Sequence, residues 1–393
     1  MLLACDSTPQ QQDNGLESLL TELKGQFAPD GRVAIFKVEA KSSKGGIVIS
    51  GKTDMLEAKT ALFNSLNEKQ VSYIDNLEVL PSEKLAGKHW GIINNSVSNI
   101  RSQPRHSGEL ATQALLGMPV RVLDQEGEWY LVQTPDDYIS WIDHGGLILM
   151  NEADYNEWQS KTKVIYTAVS GYAYMDEEES GNVSDLVLGD VLSMAGESTN
   201  HFEVAYPDGR TAYLRKSESI ELEEWISLTN EEAEPMIDQA MDLMGRPYLW
   251  GGTSVKGMDC SGFTKSLYLM NGLIIPRDAS QQVHAGELVD DKMEWGKLQP
   301  GDLLFFGRPK SEELRERVVH VGMWVGDSSF IHASKQVRIS SVNSASPNYD
   351  DFNTNRYLRT KRYLNLLSGN IIDLRKLNIY TQSTFANAAS TTP

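Results

Sequence analysis

Gly245-Arg-Pro-Tyr-Leu-Trp-Gly-Gly-Thr-Ser-Val-Lys-Gly-Met-Asp-Cys-Ser-Gly-Phe263 brings a cysteine to the end of a polar, Gly-rich approach. Ser261 to Met270 then sets Phe263, Leu267 and Met270 on one helical face, so Cys260 opens a helix. A thiol there meets unpaired N–H groups and the positive end of the helix dipole, and both favour thiolate. Val318-Val-His-Val-Gly-Met-Trp-Val325 reads as a strand carrying His320, and Phe330-Ile-His-Ala, past a Gly-Asp-Ser turn, carries His332. A three-residue loop at Val325 to Asp327, folding about Gly326, puts the two rings on the same side of a sheet. A histidine inside a buried apolar strand needs a partner. His332 supplies one, holding the second ring nitrogen while His320 takes the thiol proton. The other histidines (His89, His106, His144, His201, His284) fall in polar or loop-like segments. Zinc on Cys260, His320 and His332 is the weaker reading, because no fourth ligand or paired spacing accompanies them.

The rest of the composition narrows the class. A chain of 393 residues has room for two or three domains, and its 40% hydrophobic and 23% charged content is that of a globular protein. A net charge of −18 argues against a nucleic-acid partner, which needs a concentrated basic surface. No apolar run reaches the length of a membrane-spanning helix. Only Cys5 and Cys260 are present, and a disulfide between them would consume the nucleophile. Met1-Leu-Leu-Ala-Cys5 has the form of a lipobox, which would make Cys5 a lipid-modified residue and Asp6 to Asn14 a flexible tether. A chance Cys near a disordered start is the alternative.

Six segments follow along the chain: 1–14 as lipobox remnant and tether, 15–80 as a small α/β unit, 81–156 and 157–228 as two SH3-like β-barrels, 229–368 as the Cys/His domain, and 369–393 as a loosely held tail. In the α/β unit Leu16 to Phe27 is an amphipathic helix, and Val33 to Val38, Gly46 to Ser50 and Tyr73 to Leu80 are strands. Asp54 caps a helix with Leu56, Leu62, Phe63 and Leu66 inward, while Gly51-Lys-Thr53 lacks the glycines of a phosphate loop and reads as a turn. The two barrels are a repeat: Leu115-Leu-Gly-Met-Pro-Val120 answers to Val187-Leu-Gly-Asp-Val-Leu192, 72 residues on, and Trp141-Ile to Tyr213-Leu. In the last domain a Cys-bearing helix on a His-bearing antiparallel sheet is an α+β arrangement. Gly251-Gly252 lets backbone approach a substrate closely, and Gly307 to Arg317 is a charged loop.

Taken in order, Pro-Tyr-Leu-Trp-Gly-Gly, Asp-Cys-Ser-Gly-Phe, Pro276-Arg-Asp-Ala-Ser-Gln281, Pro300-Gly-Asp-Leu-Leu-Phe-Phe306, His320-Val-Gly-Met and Ile331-His-Ala-Ser334 resemble the NlpC family of bacterial cell-wall cysteine peptidases. The resemblance implies a papain-like fold with Cys260 as nucleophile, His320 as base, His332 as orienting residue and Tyr248 near the oxyanion. The preceding units resemble bacterial SH3 domains, and residues 15–80 weakly resemble BON-type domains. Together they resemble a subgroup that releases L-Ala-γ-D-Glu from murein peptides with a free amine. For that subgroup Asp278, Glu109 and Tyr138 would meet the amine, and Asp259, Ser261 and Trp250 would line the D-Glu pocket. Arg277 reads equally well as structural, and Ala279 stands where the subgroup often has Ser.

No cofactor is implied. Peptidoglycan-derived peptides are the expected partners of a monomer in the cell envelope, periplasmic or outer-membrane-anchored, touching membrane only through a lipid on Cys5. Two rivals stay open: a thioester can also serve an acyltransferase or amidase, and the SH3 units could serve a wall-binding protein without catalysis.

Overall fold

The computed structural model describes residues 9–43, 46–230, 232–366 and 369–382. Cys5, with the lipid anchor expected on it, lies outside the described residues. Helices Pro9–Phe27 and Leu56–Glu68 pack on a three-stranded sheet ordered Phe36–Ser43, Gly46–Thr53, Tyr73–Val79, its first pair antiparallel and its second parallel. Leu16, Leu19, Leu23, Ile49, Leu62 and Leu66 fill the space between, at the helical spacing that the sequence shows.

Several local expectations need correction here. The first helix begins at Pro9, inside the segment read as a tether. Gly51-Lys-Thr53 is not a turn but the end of a strand, whose parallel partner prolongs it. Asp54 accepts the Ile35 N–H at 2.7 Å instead of capping, and Leu56 points to solvent.

The repeat is visible as topology. Leu147–Met150, Trp90–Ile93, Pro119–Glu126, Trp129–Gln133, Ile139–Asp143, Val97–Arg101 and Leu110–Leu115 form one antiparallel sheet in that order. Their counterparts form a second sheet in the same order, from Ser219–Glu221 to Asn182–Val187. No pairing joins the two edges of either sheet, so neither is the closed barrel expected. The matching turns meet: Asp190 accepts the Leu116 N–H at 3.1 Å, and the Val191 N–H donates to the Leu116 carbonyl. His201, read as a loop residue, is buried in a strand with Nε2 3.3 Å from Glu179.

Beyond these sheets, helix Ala233–Asp242 leads to helix Cys260–Leu269, which packs on a six-stranded antiparallel sheet. Its strands run Glu287–Asp290, Tyr357–Arg362, Leu303–Arg308, Arg317–Gly326, Ser329–Ser334, Gln336–Ser341. Phe263, Leu267, Phe305, Val321 and Ile331 share one core between helix and sheet. The histidine hairpin turns through two residues, Asp327 and Ser328, both at positive φ, instead of the three-residue loop expected. That pair matches the right-handed twist of the strands it joins.

Residues 369–382 are not a loose tail. Ile372–Asp373 pairs with Leu273–Ile274, and Leu374, Ile379 and Tyr380 are buried in the main core. Leu374→Ala should therefore lower stability by roughly 2–5 kcal/mol, the usual penalty for emptying a closed core position. A denaturant midpoint equal to that of the unaltered protein would show this segment to be peripheral.

Candidate active site

Cys260 is the first residue of its helix, and Asp259 caps it by accepting the Gly262 N–H at 2.7 Å. The sulfur is buried beneath strand Arg317–Gly326, where the Val321 and Ser261 N–H groups face it. Burial, and then the adjacent Asp259 carboxylate, push the thiol up to about 12 against those N–H groups. In the free site desolvation therefore outweighs the helix terminus that was expected to favour thiolate.

The two histidines meet as the strand pattern requires. His320 Nε2 lies 2.7 Å from His332 Nδ1, and His332 Nε2 lies 3.0 Å from the Ser340 hydroxyl. Met323 stands opposite Ile331, which sets Gly322 across from the second ring. A Cβ on Gly322 would sit 2.8 Å from the Phe330 ring and 3.2 Å from the His332 Cβ, so only glycine leaves that ring its room. Burial first, and then His332, holds His320 well below the ordinary histidine range; burial, with Arg338 and Arg356 nearby, takes His332 down to about 3. All three shifts favour the neutral forms, thiol and imidazole.

In front of the sulfur lies a cleft of about 630 Å³. Tyr248, Trp250, Asp259, Ser261 and Asp278 line it together with Glu109 and Tyr138 from the first SH3-like unit, so this set converges on one space. Glu109 Oε1 accepts the Trp250 indole N–H at 2.6 Å, and the Tyr138 hydroxyl stands 3.3 Å from Asp278. The glycines expected to approach substrate approach protein as well. Gly251, at φ +80°, has the Leu110 carbonyl against it, where a Cβ would be only 2.2 Å away.

Arg277 explains why these walls coincide. It is fully buried, and its guanidinium donates to both Asp259 oxygens (2.7 and 3.1 Å), to Ser261 (3.0 Å) and to Thr112 of the SH3-like sheet (3.1 Å). Asp259 thus lines the cleft with both oxygens already committed. Gln113 bonds Thr253 and Ser254, and Asp136 pairs with Lys265 at 2.6 Å, across the same seam. Arg32 also reaches the cleft, 246 residues upstream of its partner Asp278, and nothing in its Pro-Asp-Gly-Arg turn announces this.

A buried thiol at a helix start, with a histidine pair on the adjoining sheet, defines a papain-like cysteine peptidase. Residues 245–356 match the NlpC/P60 family, and residues 100–147 match the bacterial dipeptidyl-peptidase Sh3 domain. A Bacillus cereus relative called gamma-D-glutamyl-L-lysine dipeptidyl-peptidase is 30% identical over 66% of this chain and 77% of its own length. One of the same designation from Bacillus subtilis is 32% identical over 58% and 73%, and dipeptidyl-peptidase 6 of Lysinibacillus sphaericus is 29% identical over 66% and 93%. The crystal structure of a Bacillus cereus NlpC/P60 family protein superposes with a TM-score of 0.59 at 26% identity, over 70% of this chain and 99% of that one. The chain belongs to the NlpC/P60 family. It is a cysteine peptidase, with the peptidoglycan-directed activity of that family.

Arg277→Met would leave Asp259 buried without its counter-charge. It should cost roughly 3–5 kcal/mol in a denaturant titration, as removal of one partner of a buried pair does. An unshifted midpoint would mean that the capping and backbone contacts of Asp259 suffice without the guanidinium.

Proposed function

We propose that the protein hydrolyses the γ-D-glutamyl–diamino acid bond of stem peptides whose N-terminal L-Ala is free, releasing L-Ala-γ-D-Glu. The observation that carries this reading is the SH3-like carboxylate Glu109 facing the same cleft as Cys260. Among the described residues Glu109 has the Trp250 indole as its side-chain partner and no ion pair. It is thus free to receive an ammonium, and a charge-assisted bond of that kind is the strong kind. The designations of the relatives support the same bond class.

Because His320 Nε2 is directed at His332, its Nδ1 is the nitrogen left for the thiol. To accept there, His320 carries its proton on Nε2 and donates it to His332 Nδ1, while His332 donates from Nε2 to Ser340. The sulfur attacks the γ-carbonyl carbon of D-Glu as the thiol proton passes to His320. The C–N bond then breaks as His320 returns that proton to the departing amine. Water attacks the thioester, yields its proton to His320, and the carboxylic product leaves as the thiol is restored. Burial raises the Tyr248 hydroxyl above the ordinary tyrosine range, so it stays a donor and with the Cys260 N–H faces the oxyanion. The expected setting is the cell envelope, with murein-derived peptides as substrate.

Mass spectrometry of L-Ala-γ-D-Glu-diaminopimelate digests, with the amine free or acetylated, tests the reading. The dipeptide should appear from the free-amine peptide alone, and not at all with Cys260→Ala. Cleavage of both peptides would make this a broader wall endopeptidase, and cleavage of neither would favour a binding role. Glu109→Ala should raise KM for the free-amine peptide about tenfold or more, with a smaller effect on kcat, as loss of a binding contact does. An unchanged KM would remove Glu109 from the amine site.

A further inference from the structure

Among the described residues, the one cleft-lining side chain from outside both the peptidase and the SH3-like units is Arg32. Its Nη1 donates to Asp278 Oδ2 at 2.7 Å and to Ser280 at 2.9 Å, while Nε and Nη2 are held by Asp30 at 2.8 and 2.7 Å. Asp30 in turn accepts from the Gln281 side chain at 2.9 Å. The backbone is fixed as well, since the Arg32 carbonyl accepts the Ile139 N–H at 2.7 Å. Behind it Ile35 and Leu80 pack on Leu123, Leu131 and Ile139 of the first SH3-like sheet. The turn carrying Arg32 is therefore tied to two other units and forms a wall of the cleft. It closes the cleft beside Tyr138 and Asp278, two of the residues expected around the substrate amine.

The carboxylates around that wall are paired unevenly. Asp259 has Arg277, while Asp278 and Asp30 share the single guanidinium of Arg32, and among the described residues Glu109 has no ion pair. A substrate extended by one residue would carry its ammonium towards the guanidinium of Arg32. There it meets a like charge and a filled space.

We propose that Arg32, contributed by the N-terminal unit, is a specificity-determining residue that sets how far a peptide can extend beyond the D-Glu subsite. This rests on the stem-peptide reading above. Removing the side chain empties the space and takes from Asp30 and Asp278 the guanidinium they share, so the ammonium of a longer substrate can take its place.

The test compares L-Ala-γ-D-Glu-L-Lys with Gly-L-Ala-γ-D-Glu-L-Lys, both with free amines, in the full chain and in Arg32→Ala and Arg32→Lys. The unaltered protein should strongly prefer the shorter peptide. Arg32→Ala should gain at least about tenfold in kcat/KM on the longer one, in the range that a filled or emptied pocket position provides. Arg32→Lys, which keeps a cation in place, should not gain. Thermal melts accompany each variant, and Arg32→Gln, uncharged but still able to bond Asp278, replaces Arg32→Ala if that variant unfolds. No gain in the neutral variants, or an equal gain in Arg32→Lys, overturns the proposal and reduces Arg32 to a tie between units. Failure of the unaltered protein to cut the shorter peptide overturns the stem-peptide reading instead.

Discussion

A buried guanidinium holds this active site together. Arg277 binds the carboxylate that caps the Cys260 helix, the serine after the nucleophile, and a threonine on the neighbouring SH3-like sheet. Its three nitrogens and the two Asp259 oxygens also fix Gly251, whose N–H donates to Asp259 at 3.0 Å. Such a pair is expensive to desolvate, and it persists where its geometry is fully satisfied. The same contact sets the height of the helix start, the course of the Gly-rich approach and the distance of the SH3-like wall. The thiol, the indole of Trp250 and the Glu109 carboxylate are located by one another's neighbours.

Around that anchor the chain distributes its work unevenly. The two sheets share one strand order, yet among the described residues only the first of these units lends side chains to the cleft. The second braces it, accepting a backbone bond from Leu116 on Asp190 and pairing Asp185 with Lys256 at 2.5 Å. The N-terminal unit adds an apolar seam and one guanidinium. Chemistry at the sulfur thus depends on the peptidase fold, and the shape of the space before it on three units at once.

What could be read from the residues alone follows the range of the interactions. Cys260, His320 and His332 were legible because a helix start and an alternating hairpin are local patterns, and side-chain direction follows from them. The hairpin turn was missed by one residue, since Asp327 and Ser328 both take left-handed conformations that nothing but context enforces. The state of the thiol was misread because burial is a tertiary quantity: the helix terminus is in the sequence, while the desolvation that overrides it is not. Residues 369–382 looked like part of a tail because the chain ends in Ala, Ser, Thr and Pro, and only the pairing with Leu273–Ile274 and the core beyond it show where Leu374 and Ile379 go. Arg32 lies beyond local reasoning altogether, because its partner is in another unit.

The seam between Gly251 and the Leu110 carbonyl bears on how such proteins can be reshuffled. With φ at +80° and the facing carbonyl 2.2 Å from where a Cβ would sit, that position admits no side chain while the two units are together. A recombination event that moved residues 245–356 onto a different partner would carry the sulfur and both imidazoles. It would leave behind Glu109 and Tyr138, which line the cleft in front of that sulfur. The structural module here is the pair of units, and Gly251 marks how closely they fit.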